Sequence, residues 1–231
     1  MKKLYIFIPI LVIAGIIGLI QISSSKSEQN KNGKGAINNT NVSKSSVVDP
    51  TKDLIIGKPD AKATIVEYGD FKCPSCNQFH HNAGAELRKN YIDSGQLKIV
   101  FKPIAVIGPD SERAAVGAYC ANKQTKFVEY HDAIFNYMWD NYYEKSNYSV
   151  ESQDLLTTDV IKTAVKDIEL DANALGTCID SGTEISTVAT NLKSAENAGV
   201  RGTPTFVING QNVVGPQPYA NFKTLVDIQL R

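Results

Sequence analysis

The stretch "EYGDFKCPSCNQFHH", residues 67–81, sets two of the chain's four cysteines, Cys73 and Cys76, in a C-x-x-C spacing with Pro74 and Ser75 between them. Such a pair can hold a metal, staple a fold or exchange electrons. Structural zinc needs four ligands, and its usual signature adds a second C-x-x-C or a pair of spaced histidines. Only His80 and His81 lie nearby, in a spacing that matches no standard finger, so a metal is not expected. As a staple the pair would close too small a loop to stabilise much. Thiol–disulfide exchange is the reading that remains.

The flanks agree with it. "ATIVEYGDF", residues 63–71, has the β-branched and aromatic content of a short buried strand ending near Gly69. Beyond the pair, Phe79, Ala83, Leu87 and Tyr91 recur every four residues and mark one face of a helix that Gly95 ends. Cys73 therefore falls at the helix N-terminus, and Pro74 suits a first helical position, where no amide hydrogen is needed. A thiolate there meets unpaired amides and the positive end of the helix dipole. Cys73 is expected to be the acidic sulfur, and Cys76, one turn deeper, the resolving one. Glu67 sits in the strand six residues ahead. Unless it points to solvent at a sheet edge, desolvation raises its pKa and fits it to take the Cys76 proton.

Outward from this unit, "QLKIVFKPIAV" (96–106) reads as a second strand, parallel to the first because a helix joins them. A helical insertion comes next, over about 109–199. Strands resume at "TPTFVING" (203–210), turn through Asn209-Gly210 into "QNVVG" (211–215), and end in the helix "YANFKTLVDIQL" (219–230). The pattern is β-α-β, insertion, β-β-α: an α/β domain over residues 49–231. Ahead of it, Leu4 to Ile22 is nearly all apolar behind Lys2 and Lys3. Its length is close to the ~20 residues of a membrane helix, so residues 1–22 read as a signal-anchor that exports the downstream chain, or else as a cleaved signal peptide. Residues 23–46 hold only Ala36, Ile37 and Val42 as apolar side chains, so 23–48 reads as a flexible tether. Export places the domain in an oxidising compartment. Lys and Arg number 24 against 24 Asp and Glu, which gives no basic excess for nucleic acid.

C-P-x-C after a strand, a helical insertion and the later "GVRGTPTFVING" (199–210) together resemble the DsbA-like thiol:disulfide oxidoreductases of the thioredoxin superfamily, over roughly residues 50–231. The resemblance implies a thioredoxin-like fold with Cys73 as attacking cysteine and Cys76 as its buried partner. Glu67 matches a buried acid of that family. Thr203-Pro204 matches its cis-proline loop, which lies against the sulfur pair and, with Pro74 and Ser75, contacts clients. Strongly oxidising members carry histidine where this chain has Ser75, so a milder oxidant is expected, with a Cys73 pKa of roughly 4.5 to 7. Cys120 and Cys178 would close a loop of ~58 residues if paired, as in some relatives. A structural disulfide is expected, with a second redox couple or two buried thiols as alternatives. The implied function is donation of disulfides to exported thiol-bearing clients, with reoxidation by a quinone-linked membrane protein and no cofactor. The same fold also serves reductases and isomerases, or a peptide-binding module without turnover.

Overall fold

The computed structural model describes residues 52–231; the expected membrane span over residues 4–22, the tether over 23–48 and the first residues of the domain lie outside them. Among the described residues no helix is long and apolar enough to cross a membrane. Five strands, β1 (Leu54–Ile56), β2 (Ala63–Gly69), β3 (Leu97–Pro103), β4 (Thr205–Ile208) and β5 (Gln211–Val214), form one sheet in the order β1-β3-β2-β4-β5. β2 and β3 run parallel, from Ala63 opposite Leu97 to Gly69 opposite Pro103. β4 pairs antiparallel on the other side of β2, which sets Glu67 opposite both Phe101 and Phe206. Glu67 is thus on the central strand and not at an edge. β1, antiparallel to β3, is absent from the sequence reading, because three residues are too few to display a period. The β4–β5 turn has positive φ at both Asn209 (52°) and Gly210 (74°), as a type I′ hairpin requires.

The helix after β2 begins as α1 (Pro74–Phe79), widens into a π-turn at His80–Gly84, passes through α2 (Ala85–Leu87) and widens again at Arg88–Ile92. A strict four-residue spacing overshoots an α-turn by about 40° per step, so the apolar stripe would drift around a regular helix. Turns with i→i+5 bonding take more residues each and hold Phe79, Ala83, Leu87 and Tyr91 nearer one face. All four are buried.

Between β3 and β4 stand α3 (Pro109–Lys123), α4 (Phe127–Asn141), α5 (Thr158–Ala164), α6 (Ala172–Ser181) and α7 (Ile185–Asn197); α8 (Tyr219–Leu230) closes the chain. One aromatic cluster joins Phe79 to Phe206 and Phe222 from β4 and α8, with ring centroids 4.4 and 5.3 Å away. A second joins Phe71 and Phe101 to Phe135 of α4, across 5.0 Å from Phe71 to Phe135. A Cys120–Cys178 disulfide ties α3 to α6 across 58 positions of sequence. The whole is a mixed α/β thioredoxin-like fold with a helical insertion.

Candidate active site

Local backbone chemistry sets the sulfur pair. Cys73 is the N-cap of α1 in extended conformation (φ −73°, ψ 123°), and Pro74 occupies the first helical position. The Cys73 carbonyl accepts the Asn77 amide at 3.0 Å, and the Asn77 side chain donates to the Phe71 and Cys73 carbonyls, both at 3.0 Å. Asp70 fastens the preceding turn: its carboxylate accepts from the amides of Lys72 (2.9 Å) and Val106 (3.0 Å).

Both thiols are free. Cys76 is fully buried, while Cys73 keeps 7% of its surface exposed. Hydrogen bonding by the Cys76 thiol is the main influence lowering the Cys73 pKa to about 7. Burial opposes it, and the Thr203 side chain and the amides of Cys76 and Ser75 assist. Burial pushes Cys76 the other way, well above the ordinary thiol value, helped by its bond to Cys73 and by the negative charge of Cys73 and Glu67. The two sulfurs are therefore unlike. The Cys73 thiol also reaches the Thr203 carbonyl, at 3.4 Å, and the Thr203–Pro204 peptide is cis. Pro204 is buried, and Thr203, Pro74 and Ser75 are partly exposed; Pro74 and Ser75 follow Cys73 in the chain, and the Thr203 carbonyl reaches its sulfur.

Glu67, 3% exposed, has its pKa raised from 4.5 to about 8, first by desolvation and then by the charge of Cys73. It lines a cavity of about 20 Å³ with His80 and His131, to which the sequence reading gave no catalytic role, and with Arg88. Burial lowers His80 to about 3 and lowers His131 as well, so both imidazoles are neutral near pH 7. His80, His131 and Asp132 each bring a donor atom within 4.8 Å of the others. Asp132 Oδ1 already takes Arg88 at 2.8 Å and His131 Nδ1 at 3.1 Å, so the carboxylate is satisfied by protein groups.

A second feature missed in the sequence is Lys72, buried next to Cys73. Its ammonium meets Asp110 at 2.8 Å and the Gln153 carbonyl, while the Tyr143 hydroxyl donates to the Lys72 carbonyl. The active-site turn is thereby clamped to the helical insertion. Lys72 and Asp110 lie 38 positions apart, and no local pattern links them. Cys120 and Cys178 lie in the insertion and are not among the groups gathered around Cys73.

A thioredoxin family model matches residues 49–228. A probable disulfide bond formation protein D of Bacillus cereus is 28% identical over 180 residues, covering 76% of this chain and 78% of that protein. Disulfide bond formation protein D of Bacillus subtilis is 24% identical over 179 residues, or 77% of each chain. The crystal structure of oxidised BdbD from Bacillus subtilis superposes with a TM-score of 0.67 at 25% identity, covering 78% of this chain and 93% of that one. Family model, relatives and paired sulfurs converge: the chain belongs to the thioredoxin family, among its DsbA-like thiol:disulfide oxidoreductases.

Proposed function

We propose that this oxidoreductase works outside the cytoplasm and introduces disulfides into exported proteins through Cys73 and Cys76. A client thiolate attacks Cys73 of the oxidised enzyme, the Cys73–Cys76 bond breaks, and Cys76 departs with the electron pair. Glu67, protonated at neutral pH because of its burial, gives Cys76 its proton. A second client thiolate then attacks the mixed disulfide and releases Cys73 as thiolate. For reoxidation by a membrane-bound partner Glu67 accepts the proton back as Cys76 attacks. Residues 4–22 anchor the chain, the tether over 23–48 lets the domain reach clients, and Cys120–Cys178 is a structural brace. Pro74, Ser75, Thr203 and Pro204 form the surface against which a client backbone lies.

The observation that carries this reading is the opposed acidity of two adjacent sulfurs, Cys73 lowered to about 7 and Cys76 raised. Cys73→Ser is expected to abolish disulfide transfer to a reduced unfolded client, and Cys76→Ser to accumulate alkylation-resistant mixed disulfides. A binding module without turnover would show neither. The reductase direction stays open for one reason. A thiol with a pKa of about 7 is half ionised at pH 7, which stabilises the dithiol by only ~0.4 kcal/mol over a fully protonated one. Equilibration with glutathione decides the direction: a potential well above about −230 mV supports donation, and one near −270 mV supports reduction.

A further inference from the structure

Between giving its proton to Cys76 and taking one back, Glu67 can exchange with solvent only through the protein, because it is 3% exposed. The cavity it lines has room for a single water molecule, since about 20 Å³ exceeds the 10 to 15 Å³ such a site requires. His131, on the same cavity, is 4% exposed, and its Nε2 has no hydrogen-bond partner among the protein's own groups. A buried acceptor in that condition calls for a donor, which one water in the cavity would supply. The other ring nitrogen, Nδ1, lies 3.1 Å from Asp132 Oδ1. A carboxylate partner holds the proton on Nδ1 and leaves Nε2 as the acceptor. The Asp132 side chain is 32% exposed and opens onto a surface pocket of about 250 Å³ that it shares with His80 and Arg88.

We propose that His131 and Asp132, with one water in the cavity beneath Glu67, form the route by which the proton exchanged between Glu67 and Cys76 reaches solvent. The inference rests on the Glu67–Cys76 exchange proposed above. When Cys76 attacks a mixed disulfide during reoxidation, its proton goes to the Glu67 carboxylate. Glu67 then releases a proton to the water, and the water hands one to His131 Nε2 as His131 gives up its Nδ1 proton toward Asp132 and bulk water. No electrons move in these steps, and when the enzyme oxidises a client the chain runs in reverse. His80, stacked on Phe135 with ring centroids 5.1 Å apart, walls the cavity off from the surface pocket that it also lines. The groups around the route are Asp132, kept ionised against its burial first by the His131 hydrogen bond and then by the charge of Arg88; His80 and His81, whose charged forms burial disfavours; and Cys73 beside Glu67.

Time-resolved infrared spectroscopy on the full domain tests this. The Glu67 carboxyl band, identified by its loss in Glu67→Gln, is followed after mixing oxidised enzyme with dithiothreitol, alongside stopped-flow detection of sulfur exchange. In His131→Phe, which keeps an aromatic ring in the cluster, recovery of the band should lag sulfur exchange by roughly tenfold or more. A purely structural defect would slow both signals together, and that result, or unchanged band recovery, overturns the proposal. Should His131→Phe fail to fold, Asp132→Asn at the partly exposed exit carries the same expectation and the same refutation. Absence of sulfur exchange in the wild type would instead sink the function proposed above.

Discussion

Replacing Glu67 by glutamine tests the electrostatics of the site directly. The carboxyl lies on the central strand, and burial raises its pKa from 4.5 to about 8 in the folded chain. The folded value exceeds the unfolded one. The stability that the protonated carboxyl contributes is therefore whole below pH 4.5 and is lost progressively as pH rises to about 8. Between pH 5 and pH 8 this amounts to roughly 3 to 4 kcal/mol, a large part of a domain's total stability. Glutamine keeps the shape and cannot ionise. Urea unfolding of the reduced domain, followed by the fluorescence of Trp139, the chain's one tryptophan, should give Glu67→Gln and wild type similar stability at pH 5. At pH 8 the variant should be ahead by roughly 3 to 4 kcal/mol, with unchanged m-values. Because the charges of Glu67 and the two cysteines raise one another's pKa values, the comparison is repeated in a Cys73→Ala/Cys76→Ala background, where only the carboxyl differs. A gap that is the same at pH 5 and pH 8 would mean that Glu67 ionises like a solvated acid, and its role toward Cys76 would be refuted.

Lys72→Met leaves the Asp110 carboxylate buried without its cation and should lower stability by about 3 to 5 kcal/mol in urea titrations. Adding Asp110→Asn should return most of the loss, since the neutral amide still accepts the Leu155 amide hydrogen that Asp110 takes at 2.9 Å; no recovery would contradict the ion-pair account. Cys120→Ala/Cys178→Ala removes the cross-link over 58 positions and should lower stability by about 4 kcal/mol. Its rate of alkylation at Cys73 should match that of the parent, and a slowed rate would tie the brace to the active sulfur.

What could be read in the sequence was local. The C-P-S-C stretch, its place between strand and helix, and the Asn209-Gly210 hairpin each come from residues adjacent in the chain, where backbone rules act within a turn or two. Burial of Glu67 rests on two strands whose facing residues, Phe101 and Phe206, lie 34 and 139 positions away, which the alternation of a single strand cannot reveal. The histidines show the limit clearly. His131 stands 64 positions after Glu67, and only the packing of α4 against the π-turn helix gives both a common cavity. Lys72 carries no signal in the sequence for the same reason. A buried lysine becomes legible once Asp110 is known to face it, and helix placement, not spacing, decides that.

The π-turns at His80–Gly84 and Arg88–Ile92 each carry about one residue more than an α-helix spends on a turn. Loss of one residue inside either would let the ladder close to regular bonding while both flanks kept their settings. The upstream flank is fixed by the cap at Cys73, and beyond the first π-turn the Tyr91 hydroxyl, within the second, is held by Asp227 of α8 at 2.7 Å. Length variation among kindred chains is thus tolerable in the middle of this helix as well as in loops. An alignment gap there would signal a tightened coil, with the chemistry at its head unmoved.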